Sequence, residues 1–298
     1  MTASDVVLIV NPYASGVTEE GVRAVERELG AAGPVRTIRT ERAGHAAELA
    51  AAVSDGALVV YSGDGGYNEA LNGLGSDVPV GFVPGGGTSV LPRALGLPND
   101  AAGAARRLAE ALKTRRTRRI SLGRVNGRRF GFSAGVGLDA ELVRRVDALG
   151  RGPDGKRPGD RAFVTAIARI VGSSRGRFDP VLEVKGLGRA AFALVANCDP
   201  YTYVGRIPLH IAPEARFELG LDVVAPRSVG PFGLPRLLGH AFTGRGQTRS
   251  DGILYGHDLD RIEIACDGSQ PLQADGEDLG DVETVLLEAE RDAVSVLV

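Results

Sequence analysis

The chain has 298 residues, 43% of them hydrophobic, with mean hydropathy near zero and a formal net charge of −2. That length suits about two globular domains with a sizeable core, and the charge gives no overall attraction to nucleic acid. Lysine occurs only at Lys113, Lys156 and Lys185, and Cys198 and Cys266 match no metal or redox spacing, as suits a reducing compartment.

In chain order, Val6–Val10 is an unbroken apolar run, as expected of a strand buried on both faces. Asp5 precedes it, which argues against a secretory signal. Thr18-Glu19-Glu20 opens a helix with Val22, Val25 and Leu29 on one face. A strand at Val35–Arg39, a helix at Ala46–Val53 and a strand at Leu58–Tyr61 follow. Next come a glycine-rich turn, a helix to about Leu74 and a strand at Val80–Val83. This alternation predicts a doubly wound parallel sheet whose ligands sit at the carboxyl ends of its strands. From about Arg118 the pattern changes to shorter strands. They are expected at Arg118–Val125, Arg128–Ala134, Val181–Val184, Ala190–Ala196, Leu221–Ala225, Arg261–Ala265 and Thr284–Ala289. Helices are expected near 138–148, 161–172 and 231–242, and a loop over 150–160. The expected domains are 1–118, α/β and nucleotide-binding, and 119–298, a β-rich sandwich. A last strand over about 290–298 could pack back on the first domain. No stretch approaches the ~20 apolar residues of a membrane span, so a cytoplasmic protein is expected, at most peripheral at the inner face of a membrane.

The loops at the expected strand ends carry the polar chemistry: Asn11-Pro12 with Ser15-Gly16, Thr40, Ser62 to Gly66, and Pro84 to Ser89. In Ser62-Gly63-Asp64-Gly65-Gly66 the glycines let backbone amides approach an anion, and the following helix points its positive end there. An acid among those amides repels a phosphate unless a divalent cation bridges them. The segment reads as a magnesium-nucleotide site, and taken alone it fits an ordinary β-to-α turn equally well.

Three other motifs compete. Gly150 to Lys156 fits the phosphate-loop pattern, but Arg157 stands where a hydroxyl is needed and no strand precedes it. Gly135 to Ala140 fits the dinucleotide fingerprint, yet the acid expected ~20 residues on would be Asp160, inside a loop. Gly131-Phe132-Ser133-Ala134-Gly135 fits a hydrolase elbow, with Asp222 and His240 or His257 in triad order, but leaves the first domain unexplained. The four histidines (His45, His210, His240 and His257) show no zinc spacing. The basic run Lys113 to Arg119 reads as a solvated helix end, and Val229–Phe242 as packing or the wall of a greasy cleft. Late in the chain, Asp275-Gly276-Glu277 offers two carboxylates, one of which could accept a hydroxyl proton.

Together these segments resemble the diacylglycerol kinase catalytic family, which includes bacterial lipid kinases and sphingosine kinases. The resemblance is carried by Asn11 to Gly16, Ser62 to Glu69, Pro84 to Arg93 with Leu95 to Pro98, and Asp275 to Glu277, in that order. Gly135 to Ala140 and Ile211 to Ala215 also resemble family segments. The resemblance implies an NAD-kinase-like fold with the active site between its domains. It implies ATP held by Asn11, Thr40, Ser62, Gly63, Asp64, Gly65, Gly66, Glu69 and the turn Gly85, Gly86, Gly87, Thr88. It further implies Mg2+ through Asp64, and Asp275 or Glu277 as base toward a lipid or amphiphilic alcohol. A homodimer and peripheral membrane contact are compatible with it.

The departures are specific. Ser62 replaces a glycine and Gly66 replaces a threonine, Ser89-Val90 stands where asparagine is usual, and Pro92 replaces alanine. Glu218-Leu219-Gly220 replaces an acid-acid-glycine turn, so a second, structural magnesium is not expected. Two alternatives follow: an enzyme of NAD kinase type, and a catalytically weak nucleotide-binding regulator with the same fold.

Overall fold

The computed structural model describes residues 5–75, 77–150, 165–167, 169–170, 172, 175–231 and 233–298. The chain divides into two units, Met1–Ile120 with Asp292–Val298, and Ser121–Arg291.

The first unit is built on parallel strands β1 (Val6–Val10), β2 (Val35–Arg39), β3 (Ala57–Ser62) and β4 (Val80–Pro84). Their order is β2-β1-β3-β4, with Val6 opposite both Val35 and Ala57, and Leu58 opposite Val80. The chain's last residues complete this sheet, Val296 pairing in parallel with Val80. Helix α1 (Glu19–Gly30) starts where the Thr18 hydroxyl accepts the Gly21 N–H at 3.0 Å, and it buries Val22, Val25 and Leu29. Helix α2 (His45–Ala51) packs on α3 (Asp64–Gly73), and α1 packs on α5 (Ala101–Thr114), with the short α4 (Val90–Ala94) between α3 and α5 in sequence. Val6, Leu8 and Val10 join Val25, Leu29 and Leu108 in one core. Each such side chain, fully buried, contributes roughly 1.5–3 kcal/mol. The central strands are buried along their whole length, as their unbroken apolar runs require.

The basic run does more than cap α5. Arg116 Nε donates to the Val298 carbonyl at 2.5 Å, and Arg119 bonds Asp77 and the Asp292 carbonyl. It therefore clamps the C-terminal segment rather than standing wholly in solvent.

The second unit is β-rich and antiparallel. It comprises β6 (Arg128–Phe130), β7 (Ser133–Val136), β8 (Leu182–Val184), β9 (Gly188–Ala190), β10 (Ala193–Ala196), β13 (Leu221–Pro226), β14 (Ile253–Leu259), β15 (Arg261–Ala274) and most of β5 (Thr117–Val125) and β16 (Glu277–Leu297), whose residues 117–120 and 292–297 belong to the first unit. β11 (Thr202–Val204) and β12 (Ile207–Leu209) form a separate hairpin. The main path runs β14-β13-β10-β7-β15-β16, and its core gathers Phe130, Val195, Val223, Ile264 and Leu287. Helices α6 (Leu138–Asp147) and α7 (Gly233–Thr243) interrupt the strands. The expected strands at 128–134 and 190–196 are each broken, and β15 and β16 are far longer than expected because register shifts carry them past locally polar stretches. Of the expected helix at 161–172, residues 165–167, 169–170 and 172 are helical. The expected loop beyond Gly150, with the phosphate-loop look-alike, lies outside the described residues.

Candidate functional site

The four polar loops of the first unit follow the carboxyl ends of β1 to β4, and their backbones are bonded to one another or to the end of a neighbouring strand. Asn11 N–H donates to the Tyr61 carbonyl at 3.0 Å, and Thr40 N–H to the Val10 carbonyl at 2.9 Å. Gly85 N–H donates to the Ser62 carbonyl at 2.7 Å, and Gly16 N–H to the Gly85 carbonyl at 2.8 Å. Glycine is required where Gly63 and Gly86 meet: a Cβ on Gly86 would stand 2.8 Å from the Gly63 Cα. A Cβ on Gly87 would meet nothing within 4 Å, so the turn is tight at its base and open at its tip.

Helix α3 begins at Asp64, with Gly63 as its N-cap. Asp64 Oδ1 accepts the Leu91 N–H at 3.3 Å, which ties this turn to α4. The buried Tyr67 hydroxyl lies 2.6 Å from the Ser62 carbonyl and 2.7 Å from that of Val83. Burial, reinforced by the nearby Asp64, pushes its pKa well up, so it stays a neutral donor that locks β3 to β4. Ser89, in the left-handed region at φ 48°, accepts the Gly86 N–H at 3.0 Å and closes the Gly85–Gly87 turn. The Asn11 carboxamide oxygen accepts the Tyr13 N–H at 3.0 Å. Glu69 accepts the Ala46 N–H at 3.3 Å and so caps α2, whose own N-cap, Gly44, has no side chain to offer.

Ser62 is 1% exposed and its hydroxyl has no hydrogen-bond partner among the described residues. A Cβ on Gly66 would overlap that hydroxyl, so the two unusual residues share one volume.

In the second unit the two late carboxylates are not equivalent. Asp275, 3% exposed and at φ 49°, accepts N–H groups from Gly131, Phe132 and Ser133 at 2.6, 3.0 and 3.2 Å. It is a backbone clamp. Glu277 is half-buried and pairs with Arg128 at 2.7 Å. The intervening Gly276 N–H donates to Gln273 Oε1 at 3.0 Å. Gln273 Nε2 in turn donates to Asp139 at 2.6 Å, which also accepts the Tyr201 hydroxyl at 2.7 Å. Burial pushes the Asp139 pKa up, and those two hydrogen bonds oppose the shift.

Asp139 also lines an apolar cavity of about 830 Å3, open mouth included, whose walls include Leu142, Ile170, Phe192, Leu237 and Ile253. In the sequence, Asp139 stands in the fingerprint-like and family-like segment Gly135 to Ala140, which assigns it no role of its own. Its connection to Gln273 spans 134 residues, a pairing that no local pattern signals.

The hydrolase relay is not joined at its nucleophile: Ser133 is buried and, among the described residues, has no hydrogen bond to His240 or His257. Ser133 and Asp222 lie on either side of Ala196, two strand spacings or ~10 Å apart, and His257 bonds Asp222 at 2.9 Å. No cluster of metal-ligating side chains occurs among the described residues. At the Glu218–Gly220 turn, Asp258 Oδ1 accepts the Gly220 N–H at 2.7 Å and pairs with Arg291 at 2.8 Å, so a guanidinium supplies the positive charge there.

Residues 5–125 match the family model for the diacylglycerol kinase catalytic domain. Over 130 residues the chain is 35% identical to a diacylglycerol kinase of Mycobacterium tuberculosis, an alignment covering 41% of this chain and 40% of that protein. The chain thus matches about two fifths of that relative's length. The fold is similar throughout to a crystal structure described as a diacylglycerol kinase from Bacillus anthracis strain Sterne. The TM-score is 0.73 at 19% identity, covering 99% of this chain and 96% of the other. An NAD kinase from Archaeoglobus fulgidus in complex with ATP aligns with a TM-score of 0.52 at 12% identity, over 98% of this chain and 93% of the other. Residues 5–125 thus resemble the diacylglycerol kinase catalytic domain, in a chain whose fold is similar to those of solved structures described as bacterial diacylglycerol kinases and an NAD kinase.

Proposed function

We propose that the protein is an ATP-dependent kinase that phosphorylates a hydroxyl of a lipid or amphiphilic alcohol. The nucleotide side of this reading rests on the interlocked glycine loops at the ends of β1 to β4. They offer backbone donors and the α3 N-terminus to phosphates. Asp64, a hard oxygen ligand among those amides, fits a magnesium ion completed by phosphate oxygens and water. When bound, the ion would neutralise charge on the transferring phosphoryl group.

Between the two late carboxylates, the geometry supports Glu277 as the base that accepts the acceptor's hydroxyl proton. Asp275 has three backbone donors to satisfy, and losing them would open the β7 turn. Glu277 is reachable, and the Arg128 ion pair holds it in place.

The observation that carries the acceptor class is the cavity in the second unit, whose apolar walls suit an acyl or sphingoid chain. A screen with radiolabelled ATP tests the reading, offering diacylglycerol, a sphingoid base, soluble polyols and NAD in parallel, with Asp64→Ala as blank. Label entering a long-chain acceptor is the expected result. Transfer to NAD alone, or full transfer by both Asp64→Ala and Glu277→Ala, overturns it. No ATP binding at millimolar concentration with magnesium would leave the regulator reading in its place.

A further inference from the structure

Apolar exposure in the second unit is concentrated. Six large hydrophobic residues stand exposed among the described residues, and four of them are Val204, Ile207, Leu238 and Phe242, at 38 to 54%. Val204 and Ile207 are in the β11–β12 hairpin, and Leu238 and Phe242 are on α7. The two elements touch: α7 packs on β12, and His210, just past the hairpin, donates its N–H to the Ala241 carbonyl at 2.6 Å.

The charge around this patch is mainly positive, with Glu214 and Asp251 exposed at its flanks and Asp199 paired to His210. Residues 201–213 and 229–250 contain Arg206, Arg236, Arg245 and Arg249 and no acidic residue. All four arginines are exposed, and none forms an ion pair among the described residues. Elsewhere in this unit arginines are of both kinds: Arg129 pairs with Glu290, Arg144 with Asp278, Arg189 with Asp267 and Arg291 with Asp258, while Arg175, Arg177, Arg216 and Arg227 form no ion pair among the described residues. Unpaired arginines around exposed leucine, isoleucine and phenylalanine match the polar and apolar faces of an interfacial element.

The helix also belongs to the cavity. Leu234, Leu237 and Ala241 line it, and so does Leu238, which is 40% exposed. Leu238 therefore stands both on the cavity wall and in the exposed patch.

We propose that the β11–β12 hairpin and helix α7 form a docking surface for an anionic lipid bilayer, which brings the mouth of the apolar cavity to the membrane. The inference rests on the lipid-acceptor reading for its purpose, but docking is measured without catalysis. Phe242, Leu238 and Ile207 would enter the boundary between headgroups and chains, with the arginines at the headgroups. A chain leaving the bilayer beside Leu238 would then reach the cavity without crossing water.

The test is co-sedimentation of the full chain with phosphatidylcholine vesicles, with and without phosphatidylglycerol, at low and high salt. The protein should pellet with the anionic vesicles, and high salt should release it. Each of Arg206→Gln and Arg245→Gln should lower partitioning about fivefold, and the two together about 25-fold. Phe242→Asp and Ile207→Asp should abolish it while leaving the thermal midpoint unchanged, since both side chains are exposed. Equal binding to neutral vesicles, or binding untouched by these variants, overturns the proposal. So does self-association that Phe242→Asp removes in a protein that never pellets, because the patch would then belong to a second copy. Asp64→Ala should pellet like the parent. Vesicle binding without transfer to any lipid would end the kinase reading and leave docking standing. Transfer to a dispersed lipid without vesicle binding would do the reverse.

Discussion

The Ser62 hydroxyl fills the space that a side chain on Gly66 would need. Read separately, Ser62 adds a hydroxyl to the glycine-rich turn and Gly66 removes one. In the folded chain they are a single compensated change: the hydroxyl reaches the same neighbourhood from the strand instead of the helix. Gly66→Ala should therefore cost roughly 1–3 kcal/mol by overpacking. Ser62→Gly in the same chain should recover that loss, as read by chemical denaturation. Additive destabilisation by the two changes would contradict the shared volume.

The partners of Asp275 and Glu277 separate their roles. Asp275→Ala leaves three backbone N–H groups without an acceptor, and each unsatisfied group costs ~1–3 kcal/mol. A large fall in thermal midpoint is expected, with activity lost through unfolding. Glu277→Gln should leave the midpoint within a few degrees, retain ATP binding by calorimetry and lose transfer by at least ~100-fold, the scale of a general base. A folded, inactive Asp275→Ala beside an active Glu277→Gln would reverse the assignment.

Filling the cavity should act on one substrate only. Leu142→Trp narrows a wall of the cavity in the second unit. It should raise KM for a long-chain acceptor about tenfold or more, the effect of losing ~1.4 kcal/mol of apolar contact. KM for ATP should be unchanged. Equal effects on both would indicate a general disturbance of the fold.

His257 gives the protein a pH-dependent contribution to stability. Its hydrogen bond to the fully buried Asp222 raises its pKa above the ordinary 6.5, opposed by partial desolvation. A raised value in the folded state means stabilisation that is complete below about pH 6.5 and is lost as pH climbs through the elevated value. Thermal midpoints of the parent and His257→Asn should differ most near pH 5.5 to 6 and converge in alkaline buffer. A difference that grows with pH would refute the charged pair.

The α/β unit was legible because its signals are local. Val6–Val10 and Leu58–Tyr61 are unbroken apolar runs, Thr18 and Glu19 mark a helix start, and asparagine, threonine or glycine follows each strand. Hydrophobic period and turn chemistry act over a few residues, so the sequence by itself determined the alternation and the edge where the loops gather. The β-rich unit was less legible. β15 and β16 shift register within one ladder, and α4 and the β11–β12 hairpin are too short to show a period.

Only the tertiary structure decided the rest, because it turns on contacts distant in sequence. Asp275 becomes a clamp through amides more than 140 positions away. Asp139 meets Gln273 across 134 residues, and Ser62 and Gly66 share a volume only once a strand and a helix pack together. Composition and periodicity report which face of an element is buried. They carry no information on which backbone donor, cavity wall or neighbouring hydroxyl will be waiting there.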